Sequence, residues 1–194
     1  MIDHIQEQFA AARQVLSAMS EDQALQQNLQ QAAQLCIDCL RRRGKILLIG
    51  NGGSAADCQH IAGEFVSRFM FDRPGLPAIA LTTDSSIMTA IGNDYGYEKL
   101  FQRQLQALAQ PGDVLIAYST SGRSPNIVLA LEEARRLDVQ TIGMSGNRGG
   151  PMHALCDIML CTPSASTPRI QEGHLVLGHT LCSLVERAMF GEAG

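Results

Sequence analysis

The chain has 194 residues, a formal net charge of −4 at pH 7 and a pI near 5.7. This length suits one domain that buries roughly 70% of its unfolded surface, and the acidic balance argues against nucleic acid as the main partner. Because no apolar run approaches the ~20 residues of a membrane span and the first residues lack a signal-peptide pattern, we expect a cytosolic protein without a membrane partner.

The six cysteines are predicted to be reduced thiols in the core. Most of them fall in apolar stretches, where a free cysteine packs as a small hydrophobe. Cys36 and Cys39 have C-x-x-C spacing, but they lie late in a helical pattern and no second pair accompanies them. Neither a disulfide nor a redox motif is therefore indicated.

Two amphipathic helices are predicted ahead of the first strand. Apolar residues recur at helical spacing over residues 3–19, and Ser20–Gln23 has the pattern of a capping box that opens the second helix, which Gly44 ends. The second helix should bury seven residues: Leu25, Leu29, Ala32, Ala33, Cys36, Ile37 and Leu40. A minimal doubly wound sheet does not need these helices, so they either cover one face of the sheet or form a subunit interface.

The stretch Lys45–Arg68 combines a strand, a glycine-rich bend and a helix. Ile46–Ile49 is continuously apolar, as expected of a strand that is buried on both faces. Gly50–Ser54 has turn-forming residues, and nothing opposes a helix over residues 55–71. The N–H groups at the start of such a helix are free to hold an anion.

Strands and helices alternate through the rest of the chain. Asp84 should cap a helix that passes Ile91, and Ser124 with Pro125 should open another. Further strands are predicted at 78–82, 114–118, 139–144 and 158–161, and further helices at 98–109 and 171–190. Five strands alternating with helices predict an α/β fold with a doubly wound parallel sheet.

Two loops rich in glycine and serine, at 50–54 and 119–124, follow the carboxyl ends of strands. In a parallel sheet these ends share one edge, where ligands bind, so we expect the loops to share a crevice. The second loop supplies four hydroxyls beside a helix N-terminus, from Ser119, Thr120, Ser121 and Ser124. This arrangement suits a phosphate, although an ordinary serine-rich turn is the alternative. Neither loop has the P-loop or G-x-G-x-x-G pattern, so ATP and NAD sites are not indicated.

A second group of side chains suits a metal ion. His60 and Glu64 are four residues apart and share a helix face, and histidine with carboxylate suits Zn²⁺ or a similar ion. The last, otherwise apolar helix carries four more polar groups: Gln171, Glu172, His174 and His179. Gln171 and His179 are about 12 Å apart along an ideal helix, so either Gln171 lies on a non-helical first turn or the ligands come from different subunits.

Five motifs occur in an order that resembles the sugar isomerase (SIS) domain family, in the branch that acts on heptose phosphates. They are Gly50-Asn-Gly-Gly-Ser54, Gln59-His-x-x-x-Glu64, Gly92-Asn-Asp-Tyr-Gly96, Ser119-Thr-Ser-Gly-x-Ser124, and Arg169-Ile-Gln-Glu-x-His174 followed by His179. The resemblance covers essentially the whole chain. It implies a flavodoxin-like SIS fold over residues 1–194, with 1–43 used for oligomer packing and 44–194 forming the α/β core.

The resemblance also implies an activity and a site. It implies a homotetrameric aldose–ketose isomerase that converts sedoheptulose 7-phosphate to D-glycero-D-manno-heptose 7-phosphate, with one zinc ion per subunit held by His60, Glu64, Gln171 and His179. For this enediol chemistry we assign Glu64 as the base at carbon and His179 as the acid at oxygen. The implied substrate contacts are Asn51, Gly52, Gly53, Ser54, Glu64, Asn93, Asp94, Ser119, Thr120, Ser121, Ser124 and Gln171.

A non-catalytic protein is the main alternative. Some SIS relatives bind the bacterial replication initiator and lack the acid and base at the positions that match Glu64 and His179, whereas this chain has both. A sugar-phosphate-sensing module is less favoured, because no DNA-binding segment is attached. The sequence therefore favours the enzyme.

Overall fold

A computed structural model describes residues 1–147 and 149–191, so Arg148 and residues 192–194 of the expected domain lie outside the described residues. Over the described residues, five strands form an all-parallel sheet in the order β2-β1-β3-β4-β5. This confirms the predicted doubly wound α/β fold. The strands are β1 Ile46–Ile49, β2 Ala78–Ala80, β3 Val114–Tyr118, β4 Gln140–Ser145 and β5 Ile158–Cys161.

Helices cover both faces of this sheet, because neighbouring residues of each strand point to opposite sides. Ile46 and Leu48 of β1 belong to one core, and Leu47 and Ile49 belong to the other. The first core contains α2, α3 and α7, and the second contains α5 and α6. The helices are α1 Ile2–Glu21, α2 Gln23–Arg41, α3 Gly53–Val66, α4 Ser85–Tyr95, α5 Leu100–Leu108, α6 Pro125–Arg136 and α7 Thr167–Phe190, with short 3₁₀ turns at Tyr97–Lys99 and Gly150–Ala154.

The two N-terminal helices have different surroundings. All seven α2 residues that were predicted to be buried are buried, and α2 packs on α7 and β5. In α1 only Met19 is buried, while Ile5, Phe9 and Leu16 are exposed. α2 is therefore explained by its role in covering the sheet, whereas the apolar stripe of α1 faces outward.

The predicted ends of α2 are wrong at both termini. Ser20 does not open the helix, because α1 continues through it and its hydroxyl donates to the Ser17 carbonyl. Asp22 is the N-cap instead, and its carboxylate accepts the Leu25 N–H at 3.0 Å, where a negative charge is also favourable. At the other end Arg43, rather than Gly44, adopts the left-handed conformation, with φ 64°.

Other element boundaries also differ from the predictions. α3 ends at Val66 instead of residue 71, because the chain folds back and the Arg73 guanidinium binds the last helical carbonyls. α7 begins at Thr167, four residues early, with Pro168 in the first turn, where proline is tolerated. β2 is two residues shorter than predicted, β4 is shifted by one residue, and α4 continues to Tyr95.

All six cysteines lie among the described residues and are free thiols, as predicted. Burial raises the pKa of Cys39 to about 11 and that of Cys156 and Cys182 to about 12. These thiols therefore carry little thiolate at neutral pH and are poor nucleophiles. Among residues 1–147 and 149–191, no helix combines the length and apolarity that crossing a membrane would require.

His174 is a core residue, so grouping it with the candidate metal ligands was wrong. Its side chain is fully buried and packs edge-on against Tyr118, with ring centroids 5.7 Å apart. Neither ring nitrogen has a hydrogen-bond partner within the described residues. Burial lowers the pKa of His174 to about 4, and the backbone of Ser145 opposes this shift only in part.

We predict that His174 makes the fold acid-sensitive. Below pH 6.5 the unfolded chain binds a proton at His174, but the folded chain does so only near pH 4. The free energy of unfolding should therefore have its full value above pH 6.5. It should fall by about 3 kcal/mol between pH 6.5 and 4 from this group alone. Denaturant titrations at fixed protein concentration should show that His174→Phe loses this component. Parallel pH profiles for the two proteins would contradict the prediction.

Candidate active site

The two loops that were predicted to share a crevice meet at the carboxyl edge of the sheet. The side-chain amides of Asn51 and Asn126 pair reciprocally, with N···O distances of 2.9 and 2.8 Å. The Tyr97 hydroxyl also donates to the Asn51 side chain at 3.0 Å. Asn126 was missed by the sequence analysis, although it directly follows the Ser124–Pro125 helix start; it is buried and holds the two loops together.

The glycine-rich loop leaves its backbone open to a ligand. Gly52 has φ 58° and occupies the N-cap position of α3, where it provides no capping side chain. A Cβ at Gly53 would overlap the side-chain amide of Gln171, so this glycine permits α7 to approach the loop closely. The N-terminus of α3 therefore lies beside the Gln171 amide, where a helix start suits an anion, and Ser54 is buried.

The serine-rich loop at the start of α6 has hydroxyls in two settings. Ser119 and Ser124 share a hydrogen bond between their hydroxyls, with the oxygens 3.0 Å apart. Ser124 occupies the predicted N-cap position, yet its side chain caps none of the described N–H groups. Thr120 and Ser121 face a recess of about 420 Å³ that Arg123, Asn147 and Ser164 also line. The loop thus offers hydroxyls, helix N–H groups and one cation to an anion.

A separate polar cluster lies on the surface between α3 and α7. The Nε2 atoms of His60 and His179 are 2.8 Å apart, and His60 Nε2 is 3.5 Å from Glu64 Oε1. The His60 side chain is 47% exposed and that of Glu64 is 24% exposed. The Phe69 ring lies beside His179, with ring centroids 5.6 Å apart.

This cluster fits a metal ion. Each of the three residues offers one ligand atom, and these atoms all lie within 4.8 Å of one another. Two imidazole nitrogens and a carboxylate oxygen are a common set for catalytic zinc, which takes three protein ligands and keeps a position open for water or substrate. The cluster also brings together a carboxylate and an imidazole, which are the groups that most often transfer protons in enzymes.

Gln171 does not join this cluster within one chain. It lies one turn inside α7, so the alternative of a non-helical first turn is wrong. α3 and α7 run side by side in the same direction: Gly53 contacts Gln171, and His60 contacts His179. Gln171 is therefore about 12 Å from His179 along the axis of α7. Of the two arrangements that were left open for a four-ligand set, ligands from different subunits is the one that remains.

Asn93 and Asp94 lie in the last turn of α4, where their side chains are exposed and bonded to each other at 2.7 Å. The next segment reaches the glycine-rich loop through Tyr97. Glu172, the remaining polar residue of the last helix, pairs with Arg169 at 2.7 Å.

The comparisons with known proteins agree on one family. A family model described as "SIS domain" matches residues 7–146. Among curated proteins, the phosphoheptose isomerase of Burkholderia pseudomallei (strain 1710b) is 61% identical over 191 residues, which are 98% of this chain and 97% of the relative.

Solved structures of similar proteins have the same architecture. A phosphoheptose isomerase from Neisseria gonorrhoeae superposes with a TM-score of 0.89 at 41% identity, covering 95% of this chain and 97% of that one. A phosphoheptose isomerase from Francisella tularensis superposes with a TM-score of 0.92 at 37% identity, covering 96% and 98% of the two chains.

Proposed function

Because this chain belongs to the SIS domain family and, within it, to the phosphoheptose isomerases, we propose that it converts sedoheptulose 7-phosphate to D-glycero-D-manno-heptose 7-phosphate. The product would supply the heptose of surface polysaccharides. The observation that carries this proposal is the His60–Glu64–His179 cluster, which supplies an acid, a base and metal ligands to a fold that has an anion-binding edge. We further propose one SIS domain over residues 1–194, in the cytosol, where the six free thiols stay reduced.

The reaction needs two proton transfers. Conversion of a 2-ketose to an aldose moves a proton from C1 to C2 and another between their oxygens, through an enediol. Glu64 would remove the proton from C1 and return it at C2, and His179 would transfer the proton between O1 and O2. Their placement on adjacent helices, both within reach of His60, allows the two residues to act on neighbouring atoms of one substrate.

His60, Glu64 and His179 would hold the metal ion, for which we propose Zn²⁺. When bound, a zinc ion here would supply Lewis-acid polarisation of the substrate carbonyl. A carboxylate that coordinates a metal is a weaker base than a free one, so we assign coordination to one Glu64 oxygen and proton transfer to the other.

The phosphate would bind at the serine-rich loop, at a distance from the reacting carbons. Its contacts with Ser119, Ser121 and Ser124 use remote binding energy to position the reacting end of the sugar. The other substrate contacts that we propose are Asn51, Gly52, Gly53, Ser54, Glu64, Asn93, Asp94, Thr120 and Gln171.

A homotetramer would bring the two halves of the site together. In one chain about two turns of α3 separate Gly53 from His60, which is roughly 10 Å along the helix axis. Exposed apolar residues adjoin the cluster, namely Met70, which follows Phe69, and Val176, one turn before His179 on α7, and the α1 stripe is exposed as well. Apolar surface of this kind marks an interface. We propose that residues 1–43 and the α3–α7 surface pack against other copies, so that loops and Gln171 of one copy complete the cluster of another.

The alternative function is a non-catalytic SIS protein that binds the replication initiator or senses a sugar phosphate. Such a protein needs no acid and base, so the convergence of Glu64 with two histidines favours the isomerase. Absence of isomerase activity from a metal-loaded wild type would support the alternative.

The acid–base assignment predicts the kinetics of single variants. Glu64→Gln and His179→Gln should each lower kcat by about 10²- to 10⁴-fold while still binding sugar phosphate. Ser121→Ala should mainly raise KM, because it touches only the phosphate end. Steady-state rates and calorimetric binding would separate these effects, and near-normal turnover by Glu64→Gln would refute the assignment.

The metal assignment predicts about one ion per chain in protein purified without chelator. His60→Ala should lose most of it, because it removes one of the three converging donors. His153→Ala, which removes an exposed histidine outside the cluster, is the control and should retain the ion. Elemental analysis measures both, and a metal-free wild type with full activity would disprove the role.

The oligomer assignment predicts a mass about four times the 20.9 kDa of the chain in light scattering. Val176→Glu places a charge beside the cluster and should reduce both mass and activity. Leu108→Glu adds the same charge to an exposed site on α5, on the opposite face of the sheet, and should change neither. A monomeric wild type at micromolar concentration, or equal effects of the two variants, would contradict the proposed interface.

A further inference from the structure

A buried ion pair joins the segment after α3 to the end of α7. The side chains of Arg73 and Glu186 are 2% and 1% exposed, and Arg73 Nε lies 3.0 Å from Glu186 Oε1. Glu186 also accepts the backbone N–H groups of Phe69 at 2.8 Å and Met70 at 2.7 Å. One carboxylate therefore holds both the backbone turn that follows α3 and the guanidinium of Arg73.

The guanidinium in turn binds the end of α3. Arg73 donates to the carbonyls of Glu64 at 2.8 Å and Phe65 at 2.6 Å. It also reaches the carbonyls of Ser67 at 3.3 Å and Pro74 at 3.1 Å. The last carbonyls of a helix have no partner within the helix. Arg73 satisfies that of Glu64 and shares that of Phe65 with the Leu76 N–H, which is 3.0 Å away.

These contacts reach the candidate catalytic residues by two routes. Arg73 binds the carbonyl of Glu64 itself. Glu186 fixes the backbone of Phe69, whose ring lies beside His179. Glu186 is also seven residues beyond His179, which is close to two helical turns, so both side chains lie on the side of α7 that faces α3.

We propose that Arg73 and Glu186 are positioning residues that set the placement of Glu64 relative to His179. This inference rests on the proposed function of that cluster. An ion pair buried to this extent adds little net stability over apolar residues of similar shape. Its contribution is geometric, because six hydrogen bonds to backbone groups and one ion pair hold α3, the following turn and α7 in a single arrangement.

The chain contains a matched control pair that does not contact the cluster. Asp113 is also almost fully buried, and it accepts one cation, Lys45 Nζ at 2.6 Å. It accepts two backbone N–H groups as well, from Lys45 at 2.9 Å and Gln110 at 2.8 Å. Asp113 thus has the same kinds of partner as Glu186, but its hydrogen bonds go to Lys45 and Gln110 and none of them reaches α3 or α7.

The test compares Glu186→Gln with Asp113→Asn, at a temperature where both variants are folded. Glu186→Gln should lower kcat by about 10- to 100-fold with little change in KM, because the phosphate loop is untouched and the acid and base are misplaced. It should also weaken Zn²⁺ binding by about tenfold or more, as measured by chelator competition. Asp113→Asn should change neither quantity by more than about twofold. Equal effects of the two variants would overturn the proposal.

Variants of the other residues test the two routes and guard against a Glu186 variant that does not fold. Arg73→Lys keeps the charge but not the forked geometry, so its kcat should fall between those of wild type and Arg73→Met. Phe69→Leu removes the ring beside His179 and should lower kcat with KM unchanged. Wild-type kcat in Arg73→Met and Phe69→Leu would overturn the proposal.

Failure of the proposed function gives a different result. If Glu64→Gln keeps its turnover, the catalytic assignment is wrong whatever Glu186→Gln does. Zn²⁺ affinity then still decides whether the pair positions the cluster, because that measurement does not depend on the reaction.

Discussion

α3 and α7 lie side by side and run in the same direction, and Gly178 permits this close contact. A Cβ at Gly178 would lie 2.7 Å from Ile61 Cδ1, so a larger residue would force the Ile61 side chain or the helices to shift. The pairing of residues at one turn of the two helices fixes which residues meet at the other turns, because side chains repeat every 3.6 residues along both helices. The same alignment that brings His60 to His179 brings Gly53 to Gln171, and it thereby separates Gln171 from the cluster.

The proposed anion-binding edge relies on backbone groups and hydroxyls, which would allow an acidic chain to bind a phosphate. Net charge acts weakly across a screened surface, whereas N–H groups at the starts of α3 and α6 act at hydrogen-bond distance. The Asn51–Asn126 amide pair keeps these two helix starts adjacent. Because each amide satisfies the other, the pair holds the loops together without using their backbone groups.

The strands and the core were predictable because their signals are local. A strand that is buried on both faces is a continuous apolar run, and the 3.6-residue spacing in α2 identified its buried side apart from Cys39, which is also buried. What ends α3 was not predictable from nearby residues, since it depends on Arg73 and on Glu186, which is 113 residues further along the chain. His174 could have been separated from His179 by helix geometry alone. Five residues place it about 140° around the helix, so if His179 faces the site, His174 faces the core.

The remaining difficulty is why a polar cluster that handles protons lies where water reaches it freely in one chain. The electrostatic interactions of a carboxylate, an imidazole and a metal ion are far stronger when water is excluded, yet the His60 side chain is 47% exposed. The exposed apolar residues beside the cluster, Met70 and Val176, resolve the difficulty if another copy covers them. In the proposed homotetramer, association would therefore remove water from the acid and base as well as bury apolar surface. Assembly and catalysis would then depend on the same contact.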